Sequence, residues 1–325
     1  MTAVLVFSRA DVERLLPMDA CIDAMAAALV DLSAGRLDQP LRTMFAPRDA
    51  AGIMAWMPAH RAGDAPLFAC KLLVVVPTNP ARGLDRHQGA VALFDGTTGE
   101  LRAIMDASPV TAIRTAAVSA VAARHLARAD AAELAIVGTG VQAERHLAAI
   151  PLVRPIRRVR VAGRTPERAR AFVDRIRPPA GVAVVAAASV EAAVRGADIV
   201  VTATTSATPV VELGWLAPGT HVSAVGASRP PAHELAPETV AACATFTDRR
   251  ESLEGEAAEW RMGVARGLFG RDHLRAELGE VVAGARPGRA SDAEITLFRS
   301  LGLAVEDLAA AELVWRRGGG TRAPW

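Results

Sequence analysis

Residues 133–146 read E-L-A-I-V-G-T-G-V-Q-A-E-R-H, and this stretch decides the fold. An apolar run at 134–137 leads into G-T-G at 138–140 and V-Q-A at 141–143, the G-x-G-x-x-A form of a dinucleotide-binding turn. Glycine is needed there because the strand bends sharply into a helix while a pyrophosphate approaches the backbone. The helix offers free N–H groups and the positive end of its dipole. We therefore assign Gly138, Gly140, Val141 and Gln142 to cofactor binding. The alternative is an incidental turn between a strand and a helix.

Short apolar runs keep alternating with helix-compatible segments after residue 133. Such alternation is typical of an α/β doubly wound sheet, so we predict a Rossmann dinucleotide-binding domain over residues 116–299. The predicted strands lie at 134–137, 158–162, 182–186, 198–203, 220–225 and 244–247. Ligands bind at the carboxyl ends of such strands, which points to Thr204 and Ser228, although both residues also suit plain loops. We also assign Thr296 to cofactor binding.

The end of the second predicted strand bears on which dinucleotide binds. An enzyme that selects NAD usually places Asp or Glu here to hold the ribose 2′-hydroxyl. This chain has Gly163, Arg164 and Thr165 instead, and its first acid is Glu167. Arg164 and Thr165 suit a 2′-phosphate, so we predict NADP(H) rather than NAD(H). The alternative is that Arg164 is an ordinary surface residue.

The first hundred residues favour a different architecture. Helical spacing over 8–34 starts at Ser8 with an S-x-x-D capping pattern. Strand-like runs follow at 40–44, 53–58, 68–76, 89–94 and 101–105. These runs predict a mainly antiparallel α+β domain with a leading pair of helices.

The end of the chain is predicted to return to this first domain. Residues 295–316 have the spacing of one amphipathic helix, with Glu306 and Asp307 on its polar face. We expect this helix to fold back on the N-terminal sheet. The first domain then comprises residues 1–115 and 300–325.

Lys71 is the only lysine, although the chain has 37 Lys and Arg residues in total. It lies between F-A-C at 68–70 and L-L-V-V-V at 72–76, a pattern typical of a buried strand. A lone cation in such a run needs a partner or a task, because its burial is costly. We therefore predict that Lys71 is functional; the alternative is a leftover surface lysine.

Arg114 is the second candidate cation. A long Ala-rich helix is predicted over 111–127, which places Arg114 in its first turn. Helix N-termini bind anions, and an arginine there adds a bidentate fork for a carboxylate. A solvated surface arginine is the alternative.

Composition excludes several classes of protein. The formal net charge of +2 over 325 residues provides no basic field for nucleic acid or an anionic membrane. Cys21, Cys70 and Cys243 are scattered, which argues against a disulfide framework and a cysteine-based metal site. No signal peptide and no apolar run of transmembrane length is present. We expect a cytoplasmic protein without a metal, whose partner is a small molecule.

Several stretches together resemble the ornithine cyclodeaminase/mu-crystallin superfamily. In chain order they are Lys71 on its strand, N-P at 79–80 with G-L at 83–84, L-F-D at 93–95 with T-G at 98–99, T-x-x-R-T-A-A-x-S-A at 111–120, G-x-G-x-Q-A at 138–143, G-R-T at 163–165, V-G-A-S-R-P at 225–230, E-L-G-E at 277–280 and F-x-S-x-G at 298–302. The resemblance implies a Rossmann domain together with an antiparallel substrate and dimerisation domain, and a homodimer. It also implies that Arg42, Lys71 and Arg114 face the substrate carboxylate and the reacting carbon.

Two positions indicate a place within the superfamily. Cyclodeaminases carry Asp where this chain has Ser228, and the sequence around Ser228 is similar to that of mu-crystallin-type ketimine reductases. His87 also resembles that branch and is a second candidate proton donor, whereas Gly163 replaces the more usual Asn. The resemblance implies NADPH-dependent reduction of a cyclic ketimine carboxylate of the pyrroline-2-carboxylate or piperideine-2-carboxylate type. The alternatives are an ornithine cyclodeaminase, an alanine-type dehydrogenase, and a non-catalytic NADPH-dependent ligand-binding protein.

Overall fold

A computed structural model describes residues 3–228 and 230–324 of the chain. The chain forms two compact units, Met1–Arg114 with Leu303–Trp325, and Thr115–Gly302. The strands are β1 (Ala3–Phe7), β2 (Leu37–Asp38), β3 (Thr43–Phe45), β4 (Ile53–Arg61), β5 (Leu67–Val75), β6 (His87–Asp95), β7 (Leu101–Asp106), β8 (Glu133–Val137), β9 (Arg158–Ala162), β10 (Ala183–Ala186), β11 (Ile199–Thr202), β12 (His221–Ala224), β13 (Ala244–Thr247), β14 (Leu274–Glu277), β15 (Thr296–Arg299) and β16 (Thr321–Pro324). The α-helices are α1 (Arg9–Leu15), α2 (Met18–Ser33), α3 (Ala107–Leu126), α4 (Val141–Ala149), α5 (Pro166–Arg175), α6 (Val190–Val194), α7 (Pro237–Ala241), α8 (Arg250–Glu256), α9 (Ala258–Ala265), α10 (Leu278–Val282) and α11 (Ala304–Arg317).

The first unit is built on the predicted antiparallel sheet. Its strand order is β16-β1-β7-β6-β5-β4-β2, with β3 paired to β4, and only β1 and β7 run parallel among the described strands. The leading helices are confirmed, and Ser8 and Asp11 form a capping box at the start of α1. Helix α11 packs on α2 and on strands β4, β5 and β6, so the predicted return of the chain end is also confirmed.

Side-chain alternation along β5 gives this sheet one buried face. Leu67, Ala69, Lys71 and Leu73 are buried, whereas Phe68 and Leu72 are exposed. The buried face lies under α11, because Lys71 contacts a residue of that helix. Lys71 thus occupies a core position, as the apolar run predicts.

The second unit has the predicted Rossmann architecture. Its sheet is parallel throughout the described strands, in the order β10-β9-β8-β11-β12-β15-β13-β14. Each of the six predicted strands is confirmed. Because all strands point the same way, their carboxyl ends lie along one edge, and the glycine turn after β8 lies on that edge.

The structure corrects two predicted helices. Residues 295–316 are not one helix, because β15 inserts between β12 and β13 and α11 begins only at Ala304. Helix α3 begins at Ala107, since the carboxylate of Asp106 accepts from the backbone N–H of Ser108 at 2.8 Å and caps the helix there. Arg114 therefore lies about two turns into α3, and the predicted anion site at the helix N-terminus is wrong.

Candidate active site

Lys71 and Arg114 meet at one carboxylate in the first unit. The Nζ atom of Lys71 lies 2.6 Å from Oδ2 of Asp307, and the two side chains are 2% and 1% exposed. The other oxygen of Asp307 accepts from Nε of Arg114 at 3.0 Å. Arg114 also donates from Nη1 to Oε2 of Glu306 at 2.7 Å. The group is a buried network of cations and carboxylates contributed by β5, α3 and α11.

Local sequence explains how these charges come to be buried. Lys71 pairs in register with Met57 of β4 and Val91 of β6, and both neighbours are buried. Helix α11 carries Ala, Leu and Val around most of its circumference, so its acids at positions 306 and 307 lie inside. Burial of a charge is tolerated when the charge is paired and hydrogen-bonded, as here.

The pKa values in this network are displaced. Burial lowers the pKa of Lys71 to about 8; the carboxylate of Asp307 opposes that fall, whereas the charges of Arg114 and Arg42 add to it. Burial alone would raise the pKa of Asp307, but the charges of Arg114 and Lys71 outweigh burial and hold that pKa below its ordinary value. Asp307 is therefore a carboxylate at neutral pH, and Lys71 is poised to exchange a proton.

His87 and Arg42 complete the predicted set of residues. His87 begins β6, and burial together with the charges of Lys71, Arg86 and Arg114 lowers its pKa to about 4. Arg42 is half-buried just before β3, and its charge acts on Lys71. The structure thus brings Lys71, Arg114, Arg42 and His87 into one electrostatic neighbourhood within the first unit.

The acids of α11 are the residues that sequence reasoning missed. Glu306 and Asp307 were expected on a solvated polar face, but they are 0% and 1% exposed. Glu312, on the same helix, is buried too and forms an ion pair with Arg61. A lone lysine in an apolar strand requires an acid somewhere in the core, and an acid pair within an Ala- and Leu-rich helix is the signal that could have supplied it.

The glycine turn of the second unit fits a dinucleotide pyrophosphate. Gly138 has φ of +138°, and a Cβ atom on it would lie 2.5 Å from the carbonyl oxygen of Ala203. Gly140 has open space where a side chain would project, and it is the N-cap residue of α4. Oε1 of Gln142 is buried and has no hydrogen-bond partner among the described residues. The open N-terminus of this helix, with its free N–H donors, is the arrangement that a bound phosphate group would complete.

The loop after β9 holds the residues predicted to select the cofactor. Arg164 is exposed, and the hydroxyl of Thr165 caps α5 by accepting from the backbone N–H of Arg168 at 3.4 Å. A Cβ atom at Gly163 would lie only 3.0 Å from Cγ2 of Thr139. A side chain at this position would therefore press against the side chain of Thr139 in the glycine turn.

Buried charges tie together the loops at the carboxyl edge. Glu234, 2% exposed, accepts from the hydroxyl of Thr202 at 2.9 Å and from the backbone N–H groups of Thr204 at 2.7 Å and Gly226 at 2.6 Å. It thereby connects the ends of β11 and β12. Sequence reasoning did not identify this residue.

A second buried acid does the same for the end of β15. Asp248 is 1% exposed and accepts from the backbone N–H groups of Leu301 and Gly302 at 2.7 and 2.8 Å. Arg299, paired with the buried Glu259, donates to the carbonyl oxygens of Ala224 and Ala227 and so holds the loop that leads to Ser228.

The three hydroxyl residues assigned to the cofactor fall at different places. Thr204 lies at the carboxyl edge, where its hydroxyl accepts from the N–H of Ser206. Ser228 is half-buried in the loop after β12, and Arg229 of the same motif lies outside the described residues. Thr296 begins β15 at the opposite edge and is fully buried; its hydroxyl donates to the carbonyl oxygen of Leu126 at 3.0 Å. Its assignment to the cofactor was wrong, because it supports the amino edge of the sheet.

The described part of the chain contains neither a metal-binding cluster nor a membrane-spanning helix. Over residues 3–228 and 230–324, no cluster of three or more His, Cys, Asp or Glu side chains is arranged to hold a metal ion. No helix in that part of the chain is long and apolar enough to cross a membrane.

Comparison with known proteins identifies relatives over nearly the whole chain. The chain is 37% identical over 315 residues to Δ1-pyrroline-2-carboxylate reductase of Bacillus cereus, covering 97% of this chain and 96% of that protein. It is 37% identical over 297 residues to ketimine reductase mu-crystallin of Rattus norvegicus, covering 90% of each.

Solved structures show the same fold. One is Thermococcus litoralis Δ1-pyrroline-2-carboxylate reductase in complex with NADH and L-proline, with a TM-score of 0.94 and 34% identity over 98% of this chain and 100% of that one. Another is an archaeal alanine dehydrogenase dimer with bound NAD, with a TM-score of 0.91 and 31% identity over the full length of both chains.

The fold, the site and these relatives define a class of enzyme, the nicotinamide-dependent oxidoreductases that act on C=N or CH–NH groups. Residues 3–321 match the model of the ornithine cyclodeaminase/mu-crystallin family, and the chain belongs to that family. The predicted superfamily, fold class and enzyme class are therefore confirmed.

Proposed function

We propose that this enzyme reduces a small cyclic ketimine carboxylate, of the pyrroline-2-carboxylate or piperideine-2-carboxylate type, to the cyclic amino acid with NADPH. The observation that carries the proposal is the buried Lys71 network, in which a proton donor and a cation for a carboxylate lie side by side. The names of the relatives from Bacillus cereus and Rattus norvegicus support the same substrate class. When bound, the reduced nicotinamide supplies the hydride, and the protein supplies orientation and charge.

The charge of the network suits an anionic substrate. Lys71 and Arg114 pair with Asp307 and Glu306, and the positive charge of Arg42 also acts on Lys71. A substrate carboxylate would be attracted to this group of three cations. Arg114 and Arg42 would hold this carboxylate, and the ring nitrogen would then lie toward Lys71.

Lys71 is better suited than His87 to donate the proton to the imine nitrogen. With its pKa lowered to about 8, Lys71 is largely protonated at neutral pH yet releases its proton readily. With its pKa lowered to about 4, His87 is a neutral imidazole at the same pH, and a neutral imidazole is too weak an acid to protonate the imine. We assign His87 to a contact with substrate or nicotinamide, in the neutral form.

NADP(H) is proposed on the basis of the loop after β9. The Thermococcus litoralis reductase and the archaeal dehydrogenase hold NADH and NAD. The residues of this chain differ in favouring NADP(H). Here an exposed Arg164 follows Gly163, and no acid stands where a ribose 2′-hydroxyl would be held. We also propose a cytoplasmic homodimer, and the alanine dehydrogenase relative is itself a dimer.

The alternative functions require different residues at the site. A cyclodeaminase needs an acid where this chain has Ser228, so we rank ornithine cyclodeamination below imine reduction. Alanine-type dehydrogenation ranks lower because the relatives from Bacillus cereus and Rattus norvegicus are imine and ketimine reductases. The other class, a non-catalytic NADPH-dependent ligand-binding protein, would leave the lowered pKa of Lys71 without a task.

A substrate panel tests the proposal. Loss of the reduced-nicotinamide absorbance should be rapid with pyrroline-2-carboxylate or piperideine-2-carboxylate, and slow with pyruvate plus ammonia. Lys71→Met should lower kcat by about 10²- to 10⁴-fold, because general acid catalysis is lost. The matched control is Leu73→Met, a volume-conserving change on the same buried face, and it should retain activity.

Each contrary result favours a named alternative. Ammonia release from ornithine with NAD would favour the cyclodeaminase, and turnover of pyruvate with ammonia would favour the dehydrogenase. Tight NADPH binding without turnover of any imine would favour the ligand-binding protein. Retention of most imine-reductase turnover by Lys71→Met would refute the role of Lys71.

A further inference from the structure

One carboxylate serves two cations in the first unit. Oδ2 of Asp307 lies 2.6 Å from the Nζ atom of Lys71, and Oδ1 accepts from Nε of Arg114 at 3.0 Å. All three side chains are nearly or fully buried, so water does not screen these contacts. Asp307 comes from α11, at the far end of the sequence from β5.

From this geometry we propose that Asp307 is the positioning residue of the site: it keeps Lys71 charged and directs both Lys71 and Arg114 toward the substrate. The inference rests on the function proposed above and extends it to a residue that does not touch the reacting atoms. A lysine buried without a carboxylate sheds its proton, and a neutral amine cannot protonate an imine. Two arginine charges make that loss easier still.

Among the charged groups around Lys71, Asp307 is the one that keeps the lysine protonated. Arg114 on α3 and Arg42 before β3 lower the pKa of Lys71, and the charge and hydrogen bond of Asp307 raise it. Glu306 receives the Nη1 donor of Arg114. His87 on β6 has its pKa lowered to about 4 and is neutral at pH 7. On α2, burial raises the pKa of Cys21 to about 12, so that group remains a thiol.

The single lysine makes a direct measurement possible. When the full-length protein is labelled with lysine carrying ¹³C at the ε carbon, its NMR spectrum contains one lysine signal, and the chemical shift of that signal reports the protonation of Lys71. In Asp307→Asn, the midpoint of this titration should fall by about one pH unit or more, because an opposite charge in contact has been removed. The matched control is Glu312→Gln, which alters another buried acid of α11 that pairs with Arg61 instead; its midpoint should stay at the wild-type value.

Kinetics supply a second readout that a purely structural role would not change. In Asp307→Asn the alkaline limb of the kcat profile for imine reduction should move to lower pH, in step with the NMR midpoint. At pH 7, kcat should fall by about 2-fold if the midpoint falls by one unit and by about 10-fold if it falls by two, while the Kd for NADPH stays unchanged. Asp307→Glu keeps the charge and should recover part of kcat, with a midpoint between those of the wild type and Asp307→Asn.

The titration separates this inference from the proposed function, because it needs no turnover. If no imine is reduced by the wild type but the midpoint falls in Asp307→Asn, the proposed function fails and the role of Asp307 stands. If imines are reduced and the midpoint does not move, the role of Asp307 is refuted. Should Asp307→Asn not fold, Asp307→Glu decides: a lowered midpoint supports the proposal, and an unchanged midpoint overturns it.

Discussion

At the scale of single residues, Arg164 is the side chain on which the proposed choice between NADPH and NADH depends. It is exposed in the loop after β9, and its guanidinium can form a charge-assisted pair with a 2′-phosphate. Removing such a contact costs about 1.5–3 kcal/mol, so Arg164→Ala should raise the KM for NADPH by roughly 10- to 100-fold. The KM for NADH, which lacks the phosphate, should change little.

Arg170→Ala provides the control for that measurement. Arg170 is an exposed arginine of α5 that pairs with Glu167 at 2.6 Å, so its removal changes the local net charge equally without touching the loop. It should leave the ratio of the two KM values near the wild-type ratio. An unchanged ratio in Arg164→Ala would show that the NADP(H) assignment is wrong.

Lys71 and Asp307 show how far single residues can be interpreted without a structure. Lys71 could be identified because it is the only lysine and interrupts an apolar strand. Asp307 could not be identified, because its partner lies far along the chain and helical spacing alone placed it on a solvated face. Such a spacing argument cannot tell which side of a helix meets a sheet until the sheet itself is positioned.

At the scale of elements, Glu234 holds the strand ends that form the dinucleotide edge. Both of its oxygens accept, one from the N–H of Thr204 and the other from the N–H of Gly226 and the hydroxyl of Thr202. In Glu234→Gln an amide nitrogen replaces one acceptor and leaves at least one buried donor without a partner. The free energy of unfolding should fall by about 1.5–3 kcal/mol, and the Kd for NADPH should rise because the loops are less well ordered.

Denaturant unfolding and a binding titration check this expectation. Glu238→Gln is the matched control, because Glu238 is an exposed acid that pairs with Arg266 on the surface; that change should cost less than about 0.5 kcal/mol. If Glu234→Gln behaved like the control in both measurements, the loops would not depend on Glu234.

The elements that were predicted and those that were missed differ in a physical way. The six predicted strands of the second unit are apolar runs followed by Gly, small or turn-forming residues, and all except the edge strand β10 are largely buried in the sheet. Strand β15, T-L-F-R at 296–299, was missed because a short apolar run fits helical and extended spacing equally well. Its place between β12 and β13 depends on pairing with distant strands, which periodicity does not encode.

At the scale of the whole molecule, two architectures could be distinguished from sequence because the spacing changes along the chain. Alternating strands with turns give way to strand–helix repeats after residue 133, and each pattern demands its own kind of sheet. The packing of the C-terminal helix on the first sheet could also be predicted from the sequence. The burial of its acids was not, because charged residues are normally assigned to the surface.

The outer face of the first sheet supports the proposed homodimer. Opposite the buried face of Lys71, it exposes large apolar side chains, with Trp56 of β4 directly across from Leu72 of β5 in the register. The members exposed in one protomer are Phe45, Met54, Trp56, Phe68 and Leu72. A large exposed apolar face of this kind marks an interaction surface, and a two-fold interface would place it against the same face of a second copy.

Leu72→Arg should therefore convert the dimer to a monomer. In a two-fold interface each copy would bring the new charge into an apolar contact and against a like charge. Light scattering coupled to size-exclusion chromatography measures the outcome as mass. The matched control is Leu152→Arg, since Leu152 is 54% exposed and Leu72 is 47% exposed, yet Leu152 belongs to the second unit. The control should remain dimeric; a dimeric Leu72→Arg protein, or a monomeric wild type, would refute this interface.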